Sequence, residues 1–360
     1  MTQPVLIMAG GTGGHVFPAL AVARELENRD APVVWLGTHR GIEAELVPAA
    51  GITLEWVRVS GLRGKGLLTW LLAPWRLAIA LYDALKVMRR RRPRAVLGMG
   101  GFASGPGGVA AWLLGHPLII HEQNSVAGLT NRLLAGLARE VLTAFPGSFS
   151  SRVSAQVVGN PVRPEILALP GPDERMDRRD GPLRLLVLGG SQGALALNET
   201  VARAVAMIDA TERPVIRHQA GRATLARAEA AYRAAGVQAT VEAFIDDMAA
   251  AYAWADLVIC RSGALTIAEL AATGVGAVFV PFPAAVDDHQ TRNARFLADA
   301  GAGVLIPQAD LTPAGLAAEI LVCCRDRSLV LARARAARAL AQPAATRAVA
   351  DSCLRWGAGQ

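Results

Sequence analysis

Val5-Leu6-Ile7-Met8-Ala9-Gly10-Gly11-Thr12-Gly13-Gly14-His15 is the stretch that decides the fold. An apolar run of strand type ends in glycines and opens at once into a helical pattern. Far downstream, Leu183-Arg184-Leu185-Leu186-Val187-Leu188 runs in the same way into Gly189-Gly190-Ser191-Gln192-Gly193-Ala194. A strand that ends like this lets backbone N–H groups converge on an anion, and the helix dipole favours negative charge there. Two such turns in one chain predict two nucleotide-binding-type halves serving one phosphorylated ligand.

Outward from the first turn, short apolar runs alternate with helical patterns. Strands are expected near 5–9, 32–37, 54–59, 95–99, 118–122, 140–145 and 155–159, with helices at 16–29, 41–50, 70–92, 105–114 and 126–137. Such alternation argues for a parallel sheet covered on both faces. Residues 160–182, with five prolines and a charged stretch through Asp180, read as a linker. The alternation then restarts, with strands near 183–188, 214–218, 238–243, 257–260, 277–281 and 303–306. Helices are expected at 194–208, 222–235, 247–254, 265–273, 290–300 and 313–324, and the tail from Ser328 to Trp356 reads as helical with a break at Pro343. The fold class is α/β: two Rossmann-like, doubly wound domains facing a cleft, with ligands at the carboxyl ends of strands.

A chain of 360 residues, 52% of them hydrophobic, exceeds one ordinary core. Cys260, Cys323, Cys324 and Cys353 show no CxxC spacing and read as reduced, packed thiols. Met1-Thr2-Gln3-Pro4 lacks the basic start and long apolar core of a signal peptide, so a cytoplasmic protein is expected. The net charge of +7 comes largely from arginine, much of it on Ala/Arg-rich stretches such as Arg333 to Arg347 that read as solvated helix faces. No zinc-finger spacing or ribonucleoprotein motif is present, and no nucleic-acid partner is expected.

The commoner glycine motifs fail. Gly11-Thr12-Gly13-Gly14-His15-Val16 lacks the third glycine of a dinucleotide fingerprint, and Trp35-Leu36-Gly37-Thr38 lacks the acidic residue that would hold a ribose. No Lys-Ser or Lys-Thr follows, which excludes a Walker loop. Strand–helix packing also accounts for the glycines, but not for His15. The positive potential of a helix start favours a neutral imidazole, which suits a general base. His121-Glu122-Gln123-Asn124 ends the strand Leu118-Ile119-Ile120, as a ligand loop or as a polar turn capping the next helix. In Asn160-Pro161-Val162-Arg163 an arginine at a hinge could reach a diphosphate. Cys260-Arg261-Ser262-Gly263-Ala264-Leu265-Thr266-Ile267-Ala268-Glu269 is a strand end, a Ser-Gly turn and a helix start. Its amides suit a phosphate and Glu269 suits sugar hydroxyls, or else stabilises the helix end. No Asp-x-Asp occurs, and Asp246-Asp247 and Asp287-Asp288 are adjacent pairs whose side chains diverge. No metal and no cofactor is expected; helix starts and arginine would stabilise a leaving diphosphate.

From Leu67 to Met88 the chain is apolar almost all round, with Thr69, Arg76, Asp83 and Arg90 on one narrow helical stripe. Arg76, Asp83, Lys86 and Pro74 argue against a membrane span. The helix is core, or Leu67, Leu68, Trp70, Leu71, Leu72 and Trp75 form an exposed patch beside Arg89–Arg92 that docks on an anionic membrane.

GGTGGH at 10–15, SGLRGKG at 60–66, GMGGF-SGP at 98–106, HEQN at 121–124, GNPVR at 159–163, GGSQGA at 189–194 and CRSGALT at 260–266 follow in order. Together they resemble the MurG family of peptidoglycan N-acetylglucosaminyltransferases, in glycosyltransferase family 28. The resemblance spans nearly the whole chain. It implies a GT-B fold, with an N-terminal acceptor and membrane-associated domain of residues 1–161 plus 343–360. The C-terminal domain, residues 162–342, would bind UDP-GlcNAc. It implies inverting transfer of GlcNAc to the MurNAc 4-hydroxyl of lipid I, giving lipid II for peptidoglycan. The enzyme would sit on the inner face of the cell membrane, with cell-wall-synthesis proteins as possible partners.

By the same resemblance Thr12, Gly13, Gly14, Asn124, Arg163, Ser191, Ile245, Ala264, Leu265, Thr266, Ile267, Ala268, Glu269 and Gln290 contact the donor. The acceptor and membrane side takes in Arg63, Lys65, Trp70, Trp75, Arg89, Gly100, Gly101, Phe102 and Ser104. Phe102 stands where the family often has tyrosine, and His289 where some relatives have glutamine. His15 is the expected base, with His121 and Glu122 as alternatives. The rival functions are another GT-B glycolipid glycosyltransferase, a UDP-GlcNAc epimerase, or a non-catalytic nucleotide-sugar sensor.

Overall fold

The computed structural model describes residues 3–39, 41–59, 73–177, 179–190 and 193–356. Its contacts divide the chain into two units, Met1–Arg163 with Pro343–Gln360, and Pro164–Gln342.

The first unit holds β1 (Val5–Met8), β2 (Val33–Gly37), β3 (Thr53–Trp56), β4 (Ala95–Gly98), β5 (Leu118–Glu122), β6 (Glu140–Thr143) and β7 (Ala155–Val157). All pair in parallel in the order β3-β2-β1-β4-β5-β6-β7. Each central strand is apolar at successive positions because it feeds two cores. Val5 and Ile7 of β1 face one cluster with Trp35, Leu97 and Ile119, while Leu6 and Met8 face another with Leu36, Val96 and Ile120. The C-terminal helix Ala345–Trp356 belongs to the first of these, burying Val349, Ala350 and Cys353 beside the helix Gly13–Glu27.

The second unit repeats the plan with β8 (Arg184–Leu188), β9 (Val215–Gln219), β10 (Thr240–Glu242), β11 (Leu257–Cys260), β12 (Gly276–Phe279) and β13 (Gly303–Leu305). These are also parallel, in the order β10-β9-β8-β11-β12-β13. In both sheets the strand that ends in glycines, β1 or β8, is where the strand order reverses, and such a switch point is where α/β sheets bind ligands.

Two expectations need correction. The helix expected from residue 16 begins at Gly13, because Thr12 takes an extended cap conformation (φ −127°, ψ 160°). Gly13 and Gly14 therefore lie within the helix. Residues 160–182 are no loose linker either. They include the helices Pro164–Leu167 and Pro172–Met176, and the buried Arg175 donates to the carbonyls of Thr273 (2.5 Å) and Gly274 (2.7 Å). Arg179 reaches Asp256 Oδ1 at 2.5 Å. Charges that look solvated in the sequence instead satisfy helix carboxyl ends, Arg175 that of Ala264–Thr273 and Arg179 that of Met248–Trp254.

Candidate functional site

In the first unit, the turn after β1 is held from below by a residue the sequence reading missed. Glu43 is fully buried, and its Oε2 accepts from the Gly11 N–H at 2.9 Å. Its Oε1 accepts from the Thr38 N–H (3.1 Å) and hydroxyl (2.8 Å). A Cβ on Gly10 would lie 2.5 Å from that carboxylate. The turn after β4 presses against the same loop: a Cβ on Gly101, at φ +87°, would lie 2.5 Å from the Gly10 carbonyl oxygen. Only glycine permits this approach. Ser104, buried, lies 2.8 Å from the Gly100 and 3.1 Å from the Met8 carbonyl oxygens and shares its hydroxyl proton between them. That makes it a brace for the loop rather than an exposed acceptor contact. Phe102 stands out into solvent.

His15 is the third residue of the helix Gly13–Glu27, at a helix start with no side-chain cap. Its Nδ1 lies 3.0 Å from Gln123 Oε1, and Gln123 Nε2 donates to the Met99 carbonyl at 2.9 Å. The ends of β1, β4 and β5 thus meet at one partly exposed imidazole.

The other two base candidates are buried, and the Nδ1 of His121 has no hydrogen-bond partner among the described residues. His121 is fully buried, its Nε2 is 2.9 Å from the Gly159 carbonyl oxygen, and burial lowers its pKa from 6.5 to about 4. Glu122 is also buried. Its Oε1 accepts from the Asn124 N–H (2.9 Å) and Nδ2 (3.2 Å), and its Oε2 from Asn131 Nδ2 (2.8 Å) and the Gly128 N–H (3.1 Å). It shapes the loop that presents Asn124. Arg163 stacks its guanidinium over the Phe17 ring, 5.3 Å from the centroid.

In the second unit, Ser191 lies outside the described residues. The flanking loop is tight: a Cβ on Gly193, at φ +78°, would lie 2.6 Å from the Ala220 carbonyl oxygen. Asn198, His218 and Tyr232 form a buried chain beneath it. Asn198 Nδ2 donates to Ala220 O, so its Oδ1 faces His218 Nε2 at 3.0 Å, and His218 Nδ1 meets the Tyr232 hydroxyl at 2.8 Å. Burial holds His218 neutral, with its pKa down to about 3. Ile245 is placed by its own N–H, which donates to Gln219 Oε1 at 3.0 Å.

The helix Ala264–Thr273 starts after Gly263 with no side-chain cap, leaving its first amides without an intrahelical partner. Ser262 beside it is buried, and its hydroxyl makes no hydrogen bond among the described residues. Leu265, Thr266 and Ala268 are partly exposed, whereas Ala264 and Ile267 are buried. Glu269 is buried and accepts from the Tyr252 hydroxyl at 3.1 Å. Gln290 Oε1 accepts from the Phe282 N–H at 2.9 Å.

Two family models match, the glycosyltransferase family 28 N-terminal domain over residues 5–143 and its C-terminal domain over residues 184–349. The chain belongs to glycosyltransferase family 28. A protein of Alkalilimnicola ehrlichii is 60% identical over 354 residues, 98% of this chain and 99% of its own length. One of Nitrosococcus oceani is 55% identical over 359 residues, 100% of both chains. Both are named UDP-N-acetylglucosamine–N-acetylmuramyl-(pentapeptide) pyrophosphoryl-undecaprenol N-acetylglucosamine transferase. The crystal structure of Acinetobacter baumannii MurG matches with a TM-score of 0.83 and 42% identity, covering 98% of this chain and 99% of that one. The Neisseria meningitidis UDP-GlcNAc 2-epimerase bound to UDP-GlcNAc shares only the fold, at 12% identity and a TM-score of 0.67. The fold is thus GT-B.

This family 28 glycosyltransferase carries a second notable surface on its first unit. Arg63, Lys65 and Trp70 lie outside the described residues. The helix Ala73–Arg91 buries Ala80, Ala84, Val87 and Met88, so one face is core. Its other face leaves Trp75 (70% exposed) and Tyr82 in solvent, with Lys86 and Arg89, and Arg76 and Leu77 are exposed in its first turns. Arg90 and Arg91 are instead paired with Glu55, and Asp83 with Arg58. Trp112 and Leu113 on the neighbouring helix Ser104–Leu113 are also exposed. No described helix is long and apolar enough to cross a membrane.

Proposed function

We propose that this enzyme moves GlcNAc from UDP-GlcNAc to the 4-hydroxyl of undecaprenyl-diphosphate-linked MurNAc-pentapeptide, converting lipid I to lipid II. The observation that carries this reading is the match over the whole chain to transferases of that name, at up to 60% identity. The second unit takes the donor: the uncapped amides at Ala264–Thr266 face the diphosphate, with Ser191, Ile245, Glu269 and Gln290 around the nucleotide and sugar. The first unit takes the acceptor at the loops 10–15 and 98–104.

His15 is the base. Its Nε2 takes the proton of the acceptor hydroxyl as that oxygen bonds to the anomeric carbon, and the bond to UDP breaks on the opposite face. Positive charge on the sugar and negative charge on the departing diphosphate both peak in the transition state, where helix-start amides act most strongly. His121 and Glu122 are assigned to the scaffold, because both are buried and the Glu122 oxygens already accept hydrogen bonds. The exposed face of the helix Ala73–Arg91 docks on the inner membrane surface, where aromatic rings enter the interface and Arg89 and Lys86 meet anionic headgroups.

The deciding measurement is UDP release with and without lipid I, in chelator, followed by product analysis. Lipid I-dependent release giving a GlcNAc–MurNAc lipid supports the proposal. UDP-GlcNAc binding without release marks a sensor, and 2-epimerised sugar marks an epimerase.

A further inference from the structure

We infer that Gln123 is a positioning residue that decides which nitrogen of His15 carries the proton, and hence which one is the base. The inference rests on the reading of His15 given above. The Met99 carbonyl can only accept, so the Gln123 amide must turn its Nε2 toward it, as the 2.9 Å contact requires. That leaves Gln123 Oε1, an acceptor, 3.0 Å from His15 Nδ1. Two acceptors cannot share that distance, so Nδ1 carries the proton. A neutral imidazole has one proton, and the lone pair therefore sits on Nε2.

The surroundings hold this choice in place. Gln123 is buried at the end of β5, so its amide does not exchange partners with water. Gly100 closes the Nδ1 side of the ring: a Cβ there would lie 2.7 Å from that nitrogen. The Met99 N–H in turn donates to the Met8 carbonyl at 2.8 Å, tying the carbonyl that orients Gln123 to the strand leading into His15.

During transfer the acceptor O–H bond breaks toward Nε2, the oxygen bonds to the anomeric carbon, and the sugar–UDP bond releases its electron pair to the diphosphate. The ring becomes an imidazolium with Nδ1–H still held by Gln123. Without the amide oxygen, the ring would also populate the tautomer protonated on Nε2, which cannot accept that proton.

The test is a nitrogen–proton correlation spectrum of the full-length protein labelled with 15N-histidine, with His15 assigned by its loss in His15→Ala. The native ring should show Nδ1 protonated and Nε2 bare; a proton on Nε2 overturns the inference without any further variant. Gln123→Leu should shift the ring toward the Nε2–H form and lower kcat at least about tenfold, with the KM for UDP-GlcNAc unchanged. In Gln123→Glu a neutral carboxyl can donate its O–H to the Met99 carbonyl while its other oxygen accepts from Nδ1–H, and this should restore the tautomer and part of the turnover. Unchanged tautomer and turnover in Gln123→Leu defeat the inference. The two readings fail separately. If His15→Ala keeps its turnover, the base assignment falls; if it abolishes turnover but Gln123→Leu leaves the native tautomer intact, only the role of Gln123 falls.

Discussion

Glu43, Glu122, His121 and His15 stand near the carboxyl ends of the first sheet, and their surroundings separate these four. Glu43 and Glu122 spend their oxygens on backbone amides and side-chain donors, and His121 is enclosed. His15 alone of the four is partly exposed. Replacing His15 with alanine should therefore lower kcat by about 10²–10⁴, with donor affinity, read by titration calorimetry, little changed. Near-native turnover would remove it from the chemistry.

The buried imidazoles make a separate prediction about pH. Burial holds His121 down to about 4 and His218 down to about 3, below the ordinary 6.5. The unfolded chain binds protons on these rings that the folded chain refuses. Stability is therefore full above about pH 6.5 and falls as pH drops from there toward 4, by up to about 1.4 kcal/mol per pH unit for each ring. Tm should decline between pH 7 and 5, and His121→Asn should make that decline shallower. A slope unchanged by the substitution would mean that His121 does not titrate on unfolding. Of these residues, His15 was legible from its place after the glycines. Glu43 was not, because its partners Gly10, Gly11 and Thr38 are assembled by the pairing of β1 with β2 and leave no local pattern.

At the scale of elements, the helix Ala73–Arg91 shows how far periodicity reaches. Its near-continuous apolar pattern left core and membrane patch open; the structure buries Ala80, Ala84, Val87 and Met88 and leaves Trp75 and Tyr82 exposed, while residues 67–72 of the expected patch lie outside the described residues. Trp75→Ala with Tyr82→Ala should weaken binding to anionic-lipid vesicles at least about tenfold, since each ring removes an interfacial anchor, while UDP-GlcNAc binding stays native. Sedimentation with vesicles checks this, and undiminished binding would place the membrane contact elsewhere. The segment 160–182 teaches the opposite lesson. Its prolines and charges signalled a linker, yet Arg175 is buried against helix-end carbonyls. Arg175→Ala should cost roughly 1.5–3 kcal/mol, the worth of charge-assisted hydrogen bonds lost from a buried site, seen as a lower Tm. Composition cannot distinguish a solvated arginine from one whose partners are backbone carbonyls about a hundred residues away.

On the scale of the whole molecule, two sheets share one strand order, extended by β7 in the first, and each reverses at a strand that ends in glycines. The chain does not treat them alike, because its last helix returns to complete the first. Val349, Ala350 and Cys353 lie in the core around β1. Val349→Asp would bury an unpaired carboxylate there and should unfold the first unit at a visibly lower temperature; a scan indistinguishable from native would contradict that packing.

By itself the sequence determined the alternation of strands and helices, the two glycine turns, the family, and His15 as a base candidate. These are local properties: hydrophobic period, the freedom of glycine, and residue types adjacent in the chain. Tertiary structure alone decided the surroundings of those residues. It buried His121 and Glu122, brought Glu43 under the first loop, and set Gln123 between Met99 and His15. A hydrogen bond depends on distance and direction in space, and strands far apart in sequence become neighbours only once the sheet has formed.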